Sequence, residues 1–101
     1  MSYRIIWAYE VAETNRADFE AAYGPSGPWA RLFGKAKGFL VVELFRSADR
    51  DSRYFTIDRW DSKEAFETFR RDFAAEYEAM DRSFDGLTTS ETRIAAIAEV
   101  R

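Results

Sequence analysis

A chain of 101 residues, 17% of them aromatic, with a net charge of −3, is expected to form one domain over residues 1–101 that buries roughly 65% of its unfolded surface. The negative balance argues against a generic polyanion or membrane-surface binder, so neither nucleic acid nor membrane is an expected partner. There is no cysteine and no histidine, which removes disulfides, thiolate catalysis, the commonest metal ligands, the usual haem ligand and the usual general base near neutral pH; no cofactor and no catalytic metal are expected.

Residues 3–11, YRIIWAYEV, alternate, with Tyr3, Ile5, Trp7, Tyr9 and Val11 on one face and Arg4, Ile6, Ala8 and Glu10 on the other. That period and the β-branched and aromatic content predict a strand. The stretch is too short and too alternating for a signal or membrane segment, and a soluble cytoplasmic protein is the expectation. Thr14 or Asn15 caps a short helix with Phe19, Ala22 and Tyr23 inward. Gly24-Pro25-Ser26-Gly27-Pro28 breaks it. This is no phosphate loop, because the glycine order is wrong and each proline removes an amide donor. Pro28 suits the first position of a second short helix, with Trp29, Leu32 and Phe33 on one side and Gly34 at its end.

Gly38 opens a strand, residues 39–45, FLVVELF, apolar on both faces apart from Glu43, as in strands covered on both sides. Glu43 reads as an edge position facing solvent. Lys37-Gly38-Phe39 begins a partial match to an RNA-recognition signature. That signature belongs on a third strand, however, and Leu40 and Val41 replace its small residue and stacking aromatic. Tyr54 to Trp60 alternates again, with Tyr54, Thr56, Asp58 and Trp60 on one face.

From Trp60 to Phe84, the residues Phe66, Phe69, Phe73, Tyr77, Met80 and Phe84 recur in steps of three and four. They predict one long helix with a narrow aromatic stripe. Asp61 and Glu64 have capping-box spacing, Glu67–Arg71 and Glu78–Arg82 are spaced as ion pairs, and Gly86 is a stop. Thr92 to Val100 predicts the last strand. The order β-α-β-β-α-β is the α+β, ferredoxin-like arrangement, an antiparallel sheet with its helices on one face. Two helices cover one face only, so the apolar strands imply a homodimer across the other.

Trp60-Asp61-Ser62-Lys63-Glu64-Ala65-Phe66 resembles the Trp-x-Ser-x-x-Ala-Phe/Tyr junction of the antibiotic biosynthesis monooxygenase family of dimeric α+β barrels. Glu76-Tyr77, the Leu87-Thr88-Thr89-x-Glu91 lead and the element order support it. The resemblance implies cofactor-free oxidation of phenolic or hydroquinone rings by dioxygen, in a pocket between sheet and helices. The family Trp is present as Trp60, but the expected Asn is Thr56 and the expected Tyr is Phe66. Haem-degrading relatives carry a late helix His that is missing here, and their second Trp falls at Phe69, so a haem oxygenase is not implied.

Such chemistry needs a base, a dry aromatic cavity and donors for the developing anion. Trp60 and Asp58 are the candidate catalytic residues, Asp58 as a base raised in pKa by an apolar pocket. Trp7, Tyr9, Trp29, Phe33, Thr56, Phe66 and Tyr77 are the candidate substrate contacts. The bland readings stand beside these: a cross-strand Arg partner for Asp58, and core or dimer packing for Trp7 and Trp29. The alternative to an enzyme is a dimeric binding or stress-response module with a closed core.

Overall fold

The computed structural model describes residues 2–100. Strand β1 (Tyr3–Glu10) is followed by a single 3-10 turn (Glu13–Asn15), helix α1 (Arg16–Tyr23) and helix α2 (Pro28–Phe33). Strands β2 (Phe39–Arg46) and β3 (Arg53–Trp60), helices α3 (Lys63–Asp72) and α4 (Ala74–Ser83) and strand β4 (Ser90–Ala98) complete the chain. The sheet order is β2-β3-β1-β4, and every pairing is antiparallel. This is the ferredoxin-like order expected from the sequence. Among the described residues no helix is long and apolar enough to cross a membrane.

The β1–β3 register sets Tyr3 opposite Trp60, Ile5 opposite Asp58, Trp7 opposite Thr56 and Tyr9 opposite Tyr54. Residues two apart on both strands therefore share the helix-covered face. On β3 the buried positions are Tyr54, Thr56, Asp58 and Trp60, in strict alternation. Phe19 and Tyr23 of α1, Trp29, Leu32 and Phe33 of α2, and Phe69 of α3 close the core over them. Pro28 occupies the first turn of α2 and Gly34 its C-cap, as their missing amide hydrogen and missing side chain suit.

The predicted long helix is two helices. Phe73 leaves helical geometry at φ −113° and ψ 25°, between α3 and α4. The Phe73 N–H still donates to the Phe69 carbonyl and the Tyr77 N–H to the Phe73 carbonyl, both at 2.9 Å, so the segment bends and continues. No proline or glycine stands at the joint, which lies where Phe73 stacks on Phe69. The stripe survives the bend: Phe66, Phe69, Phe73, Tyr77, Met80 and Phe84 all belong to the core or lie against it.

The helix cap also differs from expectation. Ser62, not Asp61, caps α3, its Oγ accepting the Ala65 N–H at 3.0 Å. Asp61 is still held to the sheet, because its N–H donates to the Gly38 carbonyl at 2.7 Å. Ala65 then stands where a capping box needs a carboxylate, so no reciprocal bond forms. Asn15 precedes α1, but its side chain makes no capping bond. Among the described residues Glu67–Arg71 and Glu78–Arg82 form no ion pairs; Arg71 lies 3.4 Å from Asp72 instead, at an exposed site where such pairs contribute little.

The helices leave the second sheet face uncovered. By register it carries Ile6, Val41, Phe45, Phe55, Ile57 and Ile97. Phe45 and Ile97 are 46% and 44% exposed, and Leu40 and Ile94 stand out at the two register shifts.

Gly38 carries a φ of +94°, and a Cβ there would lie 2.6 Å from the Cβ of Ala65. The start of β2 can approach the start of α3 only because that position has no side chain. Gly38→Ala should therefore lower stability by more than about 1 kcal/mol. Gly86→Ala, at φ +86° in open space, should cost less, and urea denaturation of the two variants checks the order.

Candidate functional site

The inward alternation of the sheet delivers Trp7, Tyr9, Val42, Thr56 and Asp58 to the floor of a chamber beneath the helices. The helices supply Tyr23, Trp29, Phe33, Tyr77 and Asp81 as its walls, and β4 adds Glu91. The chamber is small, about 40 Å³, room for a few waters. Tyr23, Asp81 and Glu91 also border an outer recess of about 280 Å³, framed by the turn that follows α4.

Among the predicted site residues, Trp7, Tyr9, Trp29, Phe33, Thr56, Asp58 and Tyr77 come together here. Phe66 lies apart, on a neighbouring chamber of about 40 Å³ with Arg70 and Arg93, which shares Trp7, Phe33, Asp58 and Tyr77 with the first. Trp60 reaches neither chamber. It is fully buried, with the rings of Phe33, Phe39, Phe66 and Phe69 centred 5.8, 5.3, 5.7 and 5.2 Å away. Its Nε1 finds no hydrogen-bond partner among the described residues. Trp60 thus holds the corner between β3 and α3.

Asp58 is 8% exposed, and its cross-strand neighbours are Ile5 and Val42, both apolar. The arginine partner that would make it structural is absent: among the described residues its carboxyl has neither an ion pair nor a hydrogen bond. Burial alone pushes it up from 3.8 to about 7, because an apolar surround penalises the charged form. Next along the floor, the Tyr9 hydroxyl and Thr56 Oγ1 hydrogen-bond to each other at 2.9 Å. Burial raises Tyr9, Tyr23 and Tyr77 above the usual phenol range, so these hydroxyls stay neutral. The Trp29 Nε1–H is buried without a bonded partner among the described residues; the Tyr23 hydroxyl is near enough to be eased by it, but outside bonding geometry.

Asp81 and Glu91 were not legible as site residues. Asp81 follows Tyr77 by one helical turn, which places it beside the aromatic stripe, but a sequence cannot separate it from the surface acids around it. Glu91 lies opposite Tyr9 in the register and so faces inward. Burial, with help from the Asp81 charge, raises its pKa. Among the described residues, no three His, Cys, Asp or Glu side chains converge to hold a metal ion.

A sequence profile described as Antibiotic biosynthesis monooxygenase matches residues 2–80. No curated protein matches the chain significantly. Among solved structures, a candidate antibiotic biosynthesis monooxygenase from Bordetella bronchiseptica superposes with a TM-score of 0.74 at 21% identity, over 99% of this chain and 98% of the other. A mutant of SnoaB, a cofactor-independent oxygenase from Streptomyces nogalater, gives 0.73 at 21% identity, over 99% and 94%. A variant of MhuD with two manganese protoporphyrin IX molecules bound per active site gives 0.74 at 24% identity, over 100% and 96%. At these identities the likeness is one of fold.

Asp58 also imposes a pH dependence on stability. The folded protein keeps a proton that the unfolded chain releases, so this contribution is fully present below the ordinary 3.8 and lost as pH rises through about 7. The shift corresponds to on the order of 4 kcal/mol at most. Asp58→Asn should leave stability near pH 4 almost unchanged and raise it at pH 8, relative to the parent. Urea denaturation at both pH values checks this, and a variant less stable than the parent at pH 8 contradicts it.

Proposed function

The chain belongs to the antibiotic biosynthesis monooxygenase family, and on that premise we propose that it oxidises a small phenolic or hydroquinone-type ring with dioxygen, without a cofactor, in the chamber beside Asp58. The observation that carries this reading is the buried Asp58 carboxyl, without an ion pair or hydrogen bond among the described residues, facing an aromatic-walled space. A base near 7 is matched to proton removal at neutral pH. Removal of the phenol proton leaves an electron-rich phenolate, which is itself the reductant. In balanced form, phenol and dioxygen give quinone and water. One oxygen atom becomes the new ring carbonyl, the other leaves as water, and the O–H and ring C–H hydrogens end in that water.

Trp29 supplies what Trp60 was expected to supply, an indole N–H with no other bonded partner among the described residues, here at the chamber wall. Such a donor stabilises the anion as it forms. Tyr23, Tyr77, Trp7 and Phe33 hold the ring and exclude water. A ring needs more room than about 40 Å³, so binding needs side chains of the chamber wall to move. The same small volume, about 40 Å³, favours the second reading, a binding module whose core stays shut.

Oxygen uptake across a panel of hydroquinones separates the two readings. The enzyme reading expects uptake that rises with pH through about 7 and falls about 100-fold or more in a folded Asp58→Asn variant. No uptake with any hydroquinone leaves the closed module.

The homodimer belongs to the same proposal. The uncovered sheet face has Ile6, Phe55 and Ile57 at its centre with Arg4, Arg59 and Glu43 beside them, an apolar centre with charged neighbours of the kind that meets a second copy. Sedimentation should give about twice the chain mass of 11.7 kDa, and Ile57→Lys should return the protein to monomer.

A further inference from the structure

Asp81 and Glu91 have no part in the oxidation above, yet both line the inner chamber and the outer recess. Asp85 joins them on the recess, and among the described residues that line it Arg82 is the one cation. The approach thus carries three carboxylates to one guanidinium. Just inside it stand aromatic rings, Trp29 meeting Tyr77 edge-on at 5.1 Å and Tyr23 at a tilt at 6.1 Å. The faces of such rings are electron-rich and attract cations. Tyr77 already shows this, with the Arg70 guanidinium 4.0 Å from its centroid.

Acids alone would be a solvated rim. The second observation is the buried pair further in, the Asp58 carboxyl and the Trp29 N–H, both unpartnered among the described residues and both on the chamber. Inner groups suited to a hydroxyl and outer groups suited to a positive charge lie along one path. The opposite side of Asp58 has the reverse sign, since the neighbouring chamber is lined by Arg70 and Arg93. The field across the site therefore points a cationic group toward Asp81 and Glu91 and away from the arginines.

We propose that the ligand of this chamber is a phenol bearing a substituted ammonium, its ring hydroxyl toward Asp58 and its cation between Asp81 and Glu91 against the rings of Tyr23 and Trp29. This rests on the reading of the chamber as a ligand site. It also fits the raised pKa of Glu91, because a bound cation offsets the cost of the buried carboxylate charge and its repulsion by Asp81.

Titration calorimetry on the full chain with tyramine, 4-ethylphenol and 4-hydroxyphenylacetate tests it, the three sharing a ring and differing in charge. Tyramine should bind about tenfold or more tighter than 4-ethylphenol, and 4-hydroxyphenylacetate should bind most weakly. The double variant Asp81→Asn, Glu91→Gln should lose most of the preference for tyramine over 4-ethylphenol; Glu91→Gln alone should narrow the gap less. Equal binding of the first two ligands by the parent, an undiminished preference in the double variant, or no binding of tyramine would overturn the proposal. Oxygen uptake is read separately. A tyramine preference without oxidation of any hydroquinone overturns the oxygenase reading alone, and oxidation without that preference overturns the cation proposal alone.

Discussion

The pairing of β1 with β3 fixes which side chains meet the helices, and the site follows from it. With Ile5 opposite Asp58 and Trp7 opposite Thr56, the inner face of the sheet carries a carboxyl among apolar and aromatic neighbours. A slip of one residue would send Trp60, Asp58 and Tyr54 to the outer face and replace them with Arg59, Ile57 and Phe55. The strength of that register comes from the fully buried Ile5, Tyr54 and Trp60. Holding the buried Asp58 there, without a partner among the described residues, costs stability at neutral pH, and the aromatic packing around it offsets the cost.

Packing divides the aromatic residues by depth. Trp60 is enclosed by four phenylalanine rings at the β3–α3 corner, where Ser62 caps the helix and Gly38 lets the backbone close in. That corner is fully buried, and its indole N–H is out of reach of a ligand in the chamber. Trp7, Trp29 and Tyr77 sit further along the same layer, where the walls separate enough to leave a chamber. The bend at Phe73 turns α4 so that Tyr77 and Asp81 reach that chamber while Phe69 stays in the corner.

Charge follows the same geometry. The two chambers share Asp58 but differ in their other ionisable residues, arginines on one side and acids on the other. Asp58 feels neither group as a partner and is shifted by burial alone. A group in that state is uncommitted, and the proposed role uses it to take a proton from a ligand.

Periods of two and of three to four residues made the strands, the aromatic stripe and the ferredoxin-like order legible, because burial of one face imposes those spacings on any sequence. Pro28, Gly34 and Gly38 were legible as punctuation for the same local reason. The inward set on β3 could be named, and with it Asp58 and Thr56. What could not be read was depth and company. Whether Trp60 or Trp29 offers its N–H to the chamber depends on how far each helix stands off the sheet, which no spacing encodes. Ser62 rather than Asp61 caps α3, and the Asp61 amide instead bonds to the Gly38 carbonyl, a contact made across to the start of β2. That Asp58 has no partner among the described residues follows from Ile5 and Val42 on other strands. Asp81 and Glu91, from separate elements, become neighbours only when α4 and β4 close the same end of the fold.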